Sequence, residues 1–198
     1  MILNILVEGY VDEAVAWKLI EEAGHQAGIA YGKKGWTYIQ KKVGAFDRTC
    51  GVHGLLTLVD LMDTRLECPA AVVKEWLPRC AEKHIFRIVV REIESWILAD
   101  RAGMADFLNI PLSKLQIDAE AQTDPKQTLI NLARGSRTKA IRDALVPQKG
   151  LSVSEGPLYS SELIRFVMEK WNPMKAQANS VSLAKCLLRL TQLKNGMA

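Results

Sequence analysis

The chain has 198 residues, of which 48% are apolar and 24% charged, with 26 basic against 22 acidic side chains. That composition supplies one self-sufficient core and excludes a chain that depends on disulfides or stays unfolded. A net charge of +4 is too mild to demand a nucleic-acid partner and does not oppose one, and no apolar run approaches the roughly 18 residues of a spanning helix.

The opening Met1 to Gly9 lacks the basic and small-residue features of a secretory signal, so a cytoplasmic chain with reduced thiols is expected. Ile2 to Val7 is a short apolar run stopped by Glu8-Gly9 and predicts a buried strand. From Val11 to Ala27 the apolar residues Val15, Leu19, Ile20 and Ala23 recur at helical spacing, with Gly24 and Gly28 marking the exit. Strand, glycine turn and helix open a βα unit and favour a parallel sheet. Tyr31 to Gly51 reads as a basic, glycine-containing loop with a helix over Trp36 to Val43. Leu55 to Val59 predicts a second strand ending at Asp60, Pro69 opens a helix through Lys83, and Ile85 to Val90 predicts a third strand. The pattern then turns helical through Asp100. Segments 126–134, 137–145, 158–171 and 180–194 all read as helices separated by Pro, Gly and Ser. The expected architecture is α/β: a small parallel sheet flanked by helices over residues 1–110, with a helical C-terminal portion, 111–198, on it.

None of the four cysteines sits in a C-x-x-C pair or has a His at zinc-ligand spacing, and they are assigned no chemistry. The carboxylates carry more information. Glu8 and Asp60 end strands, and Glu92 and Glu94 follow a third. In a parallel sheet such ends share one rim, where ligands bind. Carboxylates gathered there repel one another, and Mg²⁺ (or Mn²⁺), a hard cation with oxygen ligands, relieves the repulsion. Asp12 either joins Glu8 on the ion or complements the positive end of the first helix. Asp60 is read as a ligand over a turn cap, and Asp63 either faces the site or solvates its loop. Glu92 and Glu94 face one side if the chain is extended there and diverge by about 200° if it is helical, so one is expected to be a ligand and the other structural. Lys33, Lys34, Lys41, Lys42 and Arg48, interleaved with Trp36, Tyr38 and Phe46, form either a nucleic-acid groove or a solvated basic surface. There is no glycine-rich phosphate loop of the G-x-G-x-x-G or G-K-[ST] type, which disfavours a nucleotide-binding protein of flavodoxin-like shape.

At these residues the chain resembles the Toprim domains of topoisomerases, bacterial primases and overcoming-lysogenization-defect nucleases. Val7-Glu8-Gly9-x-x-Asp12-Glu13 is similar to the Glu-Gly element, and Leu58-Val59-Asp60 to the start of the Asp-x-Asp element. Met62 stands where the second aspartate belongs, with Asp63 one residue later. Arg91-Glu92-Ile93-Glu94-Ser95-Trp96-Ile97-Leu98-Ala99-Asp100, Asp124-Pro125-Lys126 and Asn179-Ser180-Val181-Ser182-Leu183 extend the resemblance to a bacterial Toprim-like family often encoded beside an ABC-type ATPase. The resemblance implies a Toprim fold, an ATPase partner and a role in phage defence. It directs attention to Lys126 within the Asp-Pro-Lys motif. The resulting expectation is a Mg²⁺-dependent nuclease, with Glu8, Asp60, Glu92 and Lys126 catalytic and Glu8, Asp12, Asp60, Asp63, Glu92 and Glu94 around the metal. The alternative is a non-catalytic, partner-binding subunit with a vestigial or regulatory metal site.

Overall fold

The structure is a computed structural model that describes residues 1–148, 150 and 152–194. Its centre is a four-stranded, wholly parallel sheet in the order β2-β1-β3-β4. The strands are β1 (Ile2–Val7), β2 (Gln26–Gly32), β3 (Gly54–Asp60) and β4 (His84–Val89). Strands β1, β3 and β4 are apolar almost without interruption because both of their faces are covered. Leu3, Ile5, Leu56, Leu58, Ile85 and Val89 face one core, and Leu6, Leu55, Val59, Phe86 and Ile88 face the other.

Helix α1 (Tyr10–Glu22) covers the first face. Helices α2 (Trp36–Asp47) and α3 (Pro69–Trp76) cover the second. The connection therefore steps outward from β1 to β2, then crosses back over β1 to β3 and on to β4. The winding reverses between β1 and β3, which is where a sheet of this kind opens a crevice at its C-terminal rim.

Helix α2 runs on to Asp47 where the sequence reading stopped it at Val43, and three larger departures stand beside it. The first helix ends at Glu22, because Gly24 adopts a left-handed φ of 75° and His25 N–H bonds back to the Ile20 carbonyl at 3.0 Å. Strand β2 comes next, within a stretch read partly as helix and partly as loop. It is an edge strand of small and polar residues, QAGIAYG, with no apolar run to announce it. Its pairing is fixed instead by Asn4, whose Oδ1 accepts from Ile29 N–H at 3.0 Å, where the register with β1 shifts. The helix expected to run through Lys83 stops at Trp76, since Pro78 disfavours a helical Leu77.

The C-terminal half supplies α4 (Ile93–Ala99), α5 (Arg101–Leu108), α6 (Pro125–Arg134), α7 (Lys139–Leu145), α8 (Tyr159–Glu169), α9 (Pro173–Ala176) and α10 (Val181–Lys194). These pack on the α1 side of the sheet and share its core, with Trp96, Tyr159, Phe166 and Trp171 among the largest fully enclosed side chains. Trp171 Nε1 donates to the Trp96 carbonyl (3.2 Å), and Trp96 Nε1 donates to Ser182 Oγ (2.7 Å). No helix among the described residues is long and apolar enough to cross a membrane.

Candidate metal centre

The crevice at the reversal point is built by short strand endings. Glu8 follows β1 and Asp60 closes β3, and the Asp60 N–H donates to Glu8 Oε1 at 2.8 Å, tying the two strand ends together. Gly9 leads into α1, whose first turn carries Asp12, a carboxylate only 7% exposed. After Asp60 the chain enters a 3₁₀ turn, Met62–Thr64. Asp63, in that turn, lines the same crevice as Asp60 although it is exposed, and Met62 is 42% exposed.

Glu92 and Glu94 straddle the entry to α4. Glu92 is still extended (φ −138°, ψ 162°) and Glu94 lies in the first helical turn, and both reach the crevice. Glu92 Oε2 accepts from the Lys126 backbone N–H at 3.2 Å, at the start of α6. Glu94 Oε1 accepts from the Tyr159 hydroxyl at 3.0 Å. The Lys126 ammonium is ion-paired with Glu155 and lies 5.0 Å from the centre of the Tyr159 ring. Glu8, Asp12, Asp60, Asp63, Glu92, Glu94 and Lys126 thus line one cavity of about 390 Å³, together with Glu155 and Tyr159.

This crowding changes how tightly the groups hold protons. Burial, then the charges of Asp12 and Asp63, push Glu8 up to about 8 against the opposing bond from Asp60. Burial raises Asp12 to about 6, with Asp63 adding to it. Asp60 is held well above the usual carboxylate range by burial and by Asp12, Glu8 and Glu94. Glu94 is pushed up to about 7 by burial and by Glu92, and Glu92 is raised chiefly by burial. Among the described residues, no Lys or Arg forms an ion pair with Glu8, Asp12, Asp60 or Asp63. Asp12 Oδ1 and Asp60 Oδ1 are buried with no hydrogen-bond partner. Unpartnered buried carboxylate oxygens are costly, and a hard cation is the group whose chemistry they fit.

No family model, curated protein or solved structure matches the chain. The character of the centre therefore rests on its own residues.

Of the basic residues expected to form a groove, only two lie near the crevice. Lys33 and Lys34 sit in the loop after β2, which docks on the rim through Lys33 N–H to the Val7 carbonyl (2.8 Å) and Gly35 N–H to the Glu8 carbonyl (3.2 Å). Lys33 is paired with Glu13 at 3.0 Å, and Lys34 stands 5.4 Å from the Tyr38 ring centre. Lys41 and Lys42 are exposed farther along α2, and Arg48 lies just past its far end, towards the opposite rim. The five do not make one surface. Trp36, Tyr38 and Phe46 pack against the second core instead of standing free for base stacking.

Two contributors went unread in the sequence. Tyr159 and Glu155 come from the segment before and into α8, 65 residues from Glu94, and no local pattern joins them. A second gathering lies elsewhere: Asp47, Cys80 and His84 bring one ligating atom each to within 4.8 Å of one another. It is the tightest such group of His, Cys, Asp and Glu among the described residues; the crevice carboxylates are spaced more openly. This corrects the reading that no histidine stands at zinc-ligand spacing from a cysteine and that the cysteines carry no chemistry to consider. Cys80 and His84 are four residues apart across a turn into β4.

Proposed function

We propose that the chain is a Toprim-type, Mg²⁺-dependent phosphodiesterase acting on nucleic acid. The observation that carries this reading is the convergence of Glu8, Asp12 and Asp60 on the reversal point of the sheet, with buried, unpartnered oxygens on both aspartates. Those three residues would hold Mg²⁺ or Mn²⁺, with Asp63 beside Glu8. Bound there, the ion supplies an acidic water and neutralises phosphate charge.

The remaining groups have roles set by their own chemistry. Lys126, the one basic side chain among the described residues that line the crevice, binds a non-bridging phosphate oxygen in exchange for Glu155. Glu92 fixes the start of α6, and with it Lys126, through its bond to the Lys126 backbone. Glu94, raised to about 7 and hydrogen-bonded by Tyr159, takes up or returns a proton near neutral pH. Lys33 and Lys34 flank the entrance and attract a polyanion. The resemblance to chains encoded beside an ABC-type ATPase supports an ATPase partner and a role in phage defence as part of the same proposal.

The test is hydrolysis of mixed DNA and RNA substrates by the purified chain with Mg²⁺ or Mn²⁺, alone and with the co-expressed ATPase. Loss of an ion ligand removes several kcal/mol of transition-state stabilisation, so Asp60→Asn lowers the rate by about 100-fold or more while circular dichroism stays unchanged. No hydrolysis in either setting, with stable co-purification of the ATPase, sinks the enzyme reading and leaves a partner-binding subunit.

A further inference from the structure

At the opposite ends of the strands, the N-terminal rim holds a group of mixed donors. Asp47 ends α2, Cys80 lies in the turn after α3, and His84 opens β4. Asp47 Oδ1 accepts from the Ala81 N–H at 2.8 Å and contacts His84 Nδ1 at 2.8 Å. Asp47 Oδ2 has no hydrogen bond among the described residues. The other imidazole nitrogen, Nε2, lies 2.8 Å from Thr57 Oγ1, a fully buried hydroxyl that can either donate or accept. The Cys80 thiol points inward at the His84 carbonyl, 3.2 Å away, although the residue itself is exposed. Cys50 stands close enough to Asp47 and Cys80 for their charges to raise its thiol, on top of the larger effect of burial.

We propose that Asp47, Cys80 and His84 form a Zn²⁺ site that clamps the end of α2 to the start of β4. Thiolate, imidazole and carboxylate are zinc's usual donors, and thiolate selects against Mg²⁺. Tetrahedral zinc spaces its ligand atoms by about 3.3–3.8 Å. The three atoms already lie within 4.8 Å of one another, so side-chain adjustments of the order of 1 Å close the shell. A water would complete the tetrahedral shell as the fourth ligand.

The proton balance is simple. Without metal, Nδ1–H donates to Asp47 and Nε2 accepts from the Thr57 hydroxyl. With zinc on Nδ1, the imidazole remains neutral with its proton on Nε2, and Thr57 Oγ1 accepts it, the arrangement in which an outer partner fixes a ligating histidine. Cys80 releases one proton as it becomes a thiolate. The length of β4, about 20 Å, separates this site from the carboxylate crevice, so the two titrate independently.

The test uses the full chain, reduced and stripped with chelator, then titrated with Zn²⁺ or Co²⁺ in excess Mg²⁺. One equivalent of Zn²⁺ binds, and Co²⁺ in its place gives tetrahedral visible bands with a thiolate-to-cobalt charge-transfer band. Cys80→Ser, at an exposed position that leaves the core intact, abolishes the charge-transfer band and weakens zinc at least tenfold. Glu8→Ala changes neither. Absence of the charge-transfer band, its persistence in Cys80→Ser, or its loss in Glu8→Ala overturns the site.

Discussion

Glu8 accepts a hydrogen bond that stabilises its charge, but burial first, and the charges of Asp12 and Asp63 after it, oppose that charge and prevail. Its proton affinity is raised from the ordinary 4.5 to about 8, so between those values the folded chain binds more protons than the unfolded one. Stability from this group is complete below about pH 4.5 and is lost as pH rises through 8. Glu8→Gln keeps the acceptor for the Asp60 N–H and removes the charge. In chelator above pH 8, the variant is expected to be more stable than the native chain by roughly 1–3 kcal/mol, after allowance for solvent screening of a partly exposed group. The difference vanishes near pH 4.5. Added Mg²⁺ stabilises the native chain and leaves the variant unmoved. Urea denaturation across that pH range measures both effects, and a variant weaker at every pH contradicts the carboxylate account.

At the scale of elements, legibility followed burial. Strands β1, β3 and β4 announce themselves as apolar runs because both faces are enclosed, and their closing acids could be placed on one rim from the sequence. Strand β2 could not be seen, since an edge strand made of QAGIAYG carries neither an apolar run nor alternation. Its identity depends on partners: the Asn4 side chain and the backbone of Val7. Gly32 shows this most directly. Its φ is +92°, and a Cβ there would lie 2.2 Å from the Val7 carbonyl oxygen. Gly35, at φ +74°, has nothing within 4 Å of an added Cβ. Gly35→Ala should therefore cost only the backbone strain of a side chain at φ 74°, ψ 172°, a region essentially confined to glycine, about 1–3 kcal/mol. Gly32→Ala should cost clearly more, because the end of β2 must also move away from β1. Thermal unfolding of the two variants side by side decides it; equal losses would mean that the close approach to Val7 is not maintained.

For the whole molecule, the division at residue 110 seen in composition runs through a continuous core. The C-terminal helices read correctly as helices, but the side on which they pack was invisible, since their partners are 65 to 165 residues away. Tyr159 reaches Glu94, Asn172 N–H donates to Asp100 Oδ2 at 2.9 Å, and His25 Nε2 lies 2.9 Å from the Leu190 carbonyl. Helix α8 lies along α1, and Trp96 is enclosed by contacts with Trp171 and Ser182. Residues 1–110 alone would uncover the faces of α1 and α4 on which α8, α6 and α9 pack, where each large apolar side chain is worth about 1.5–3 kcal/mol when buried. They would also lose Tyr159 and Lys126 from the crevice. Since a domain's net stability is about 5–15 kcal/mol, several such exposures consume most or all of it. The 1–110 fragment is accordingly expected to bind a hydrophobic dye and to unfold without a cooperative transition. Co-expression with 111–198 as a separate chain should restore both cooperativity and the metal-dependent stabilisation at Glu8. A fragment that melts cooperatively by itself would show that the sheet and helices α1 to α5 are self-sufficient, and that the helices after residue 110 serve the crevice without holding up the fold.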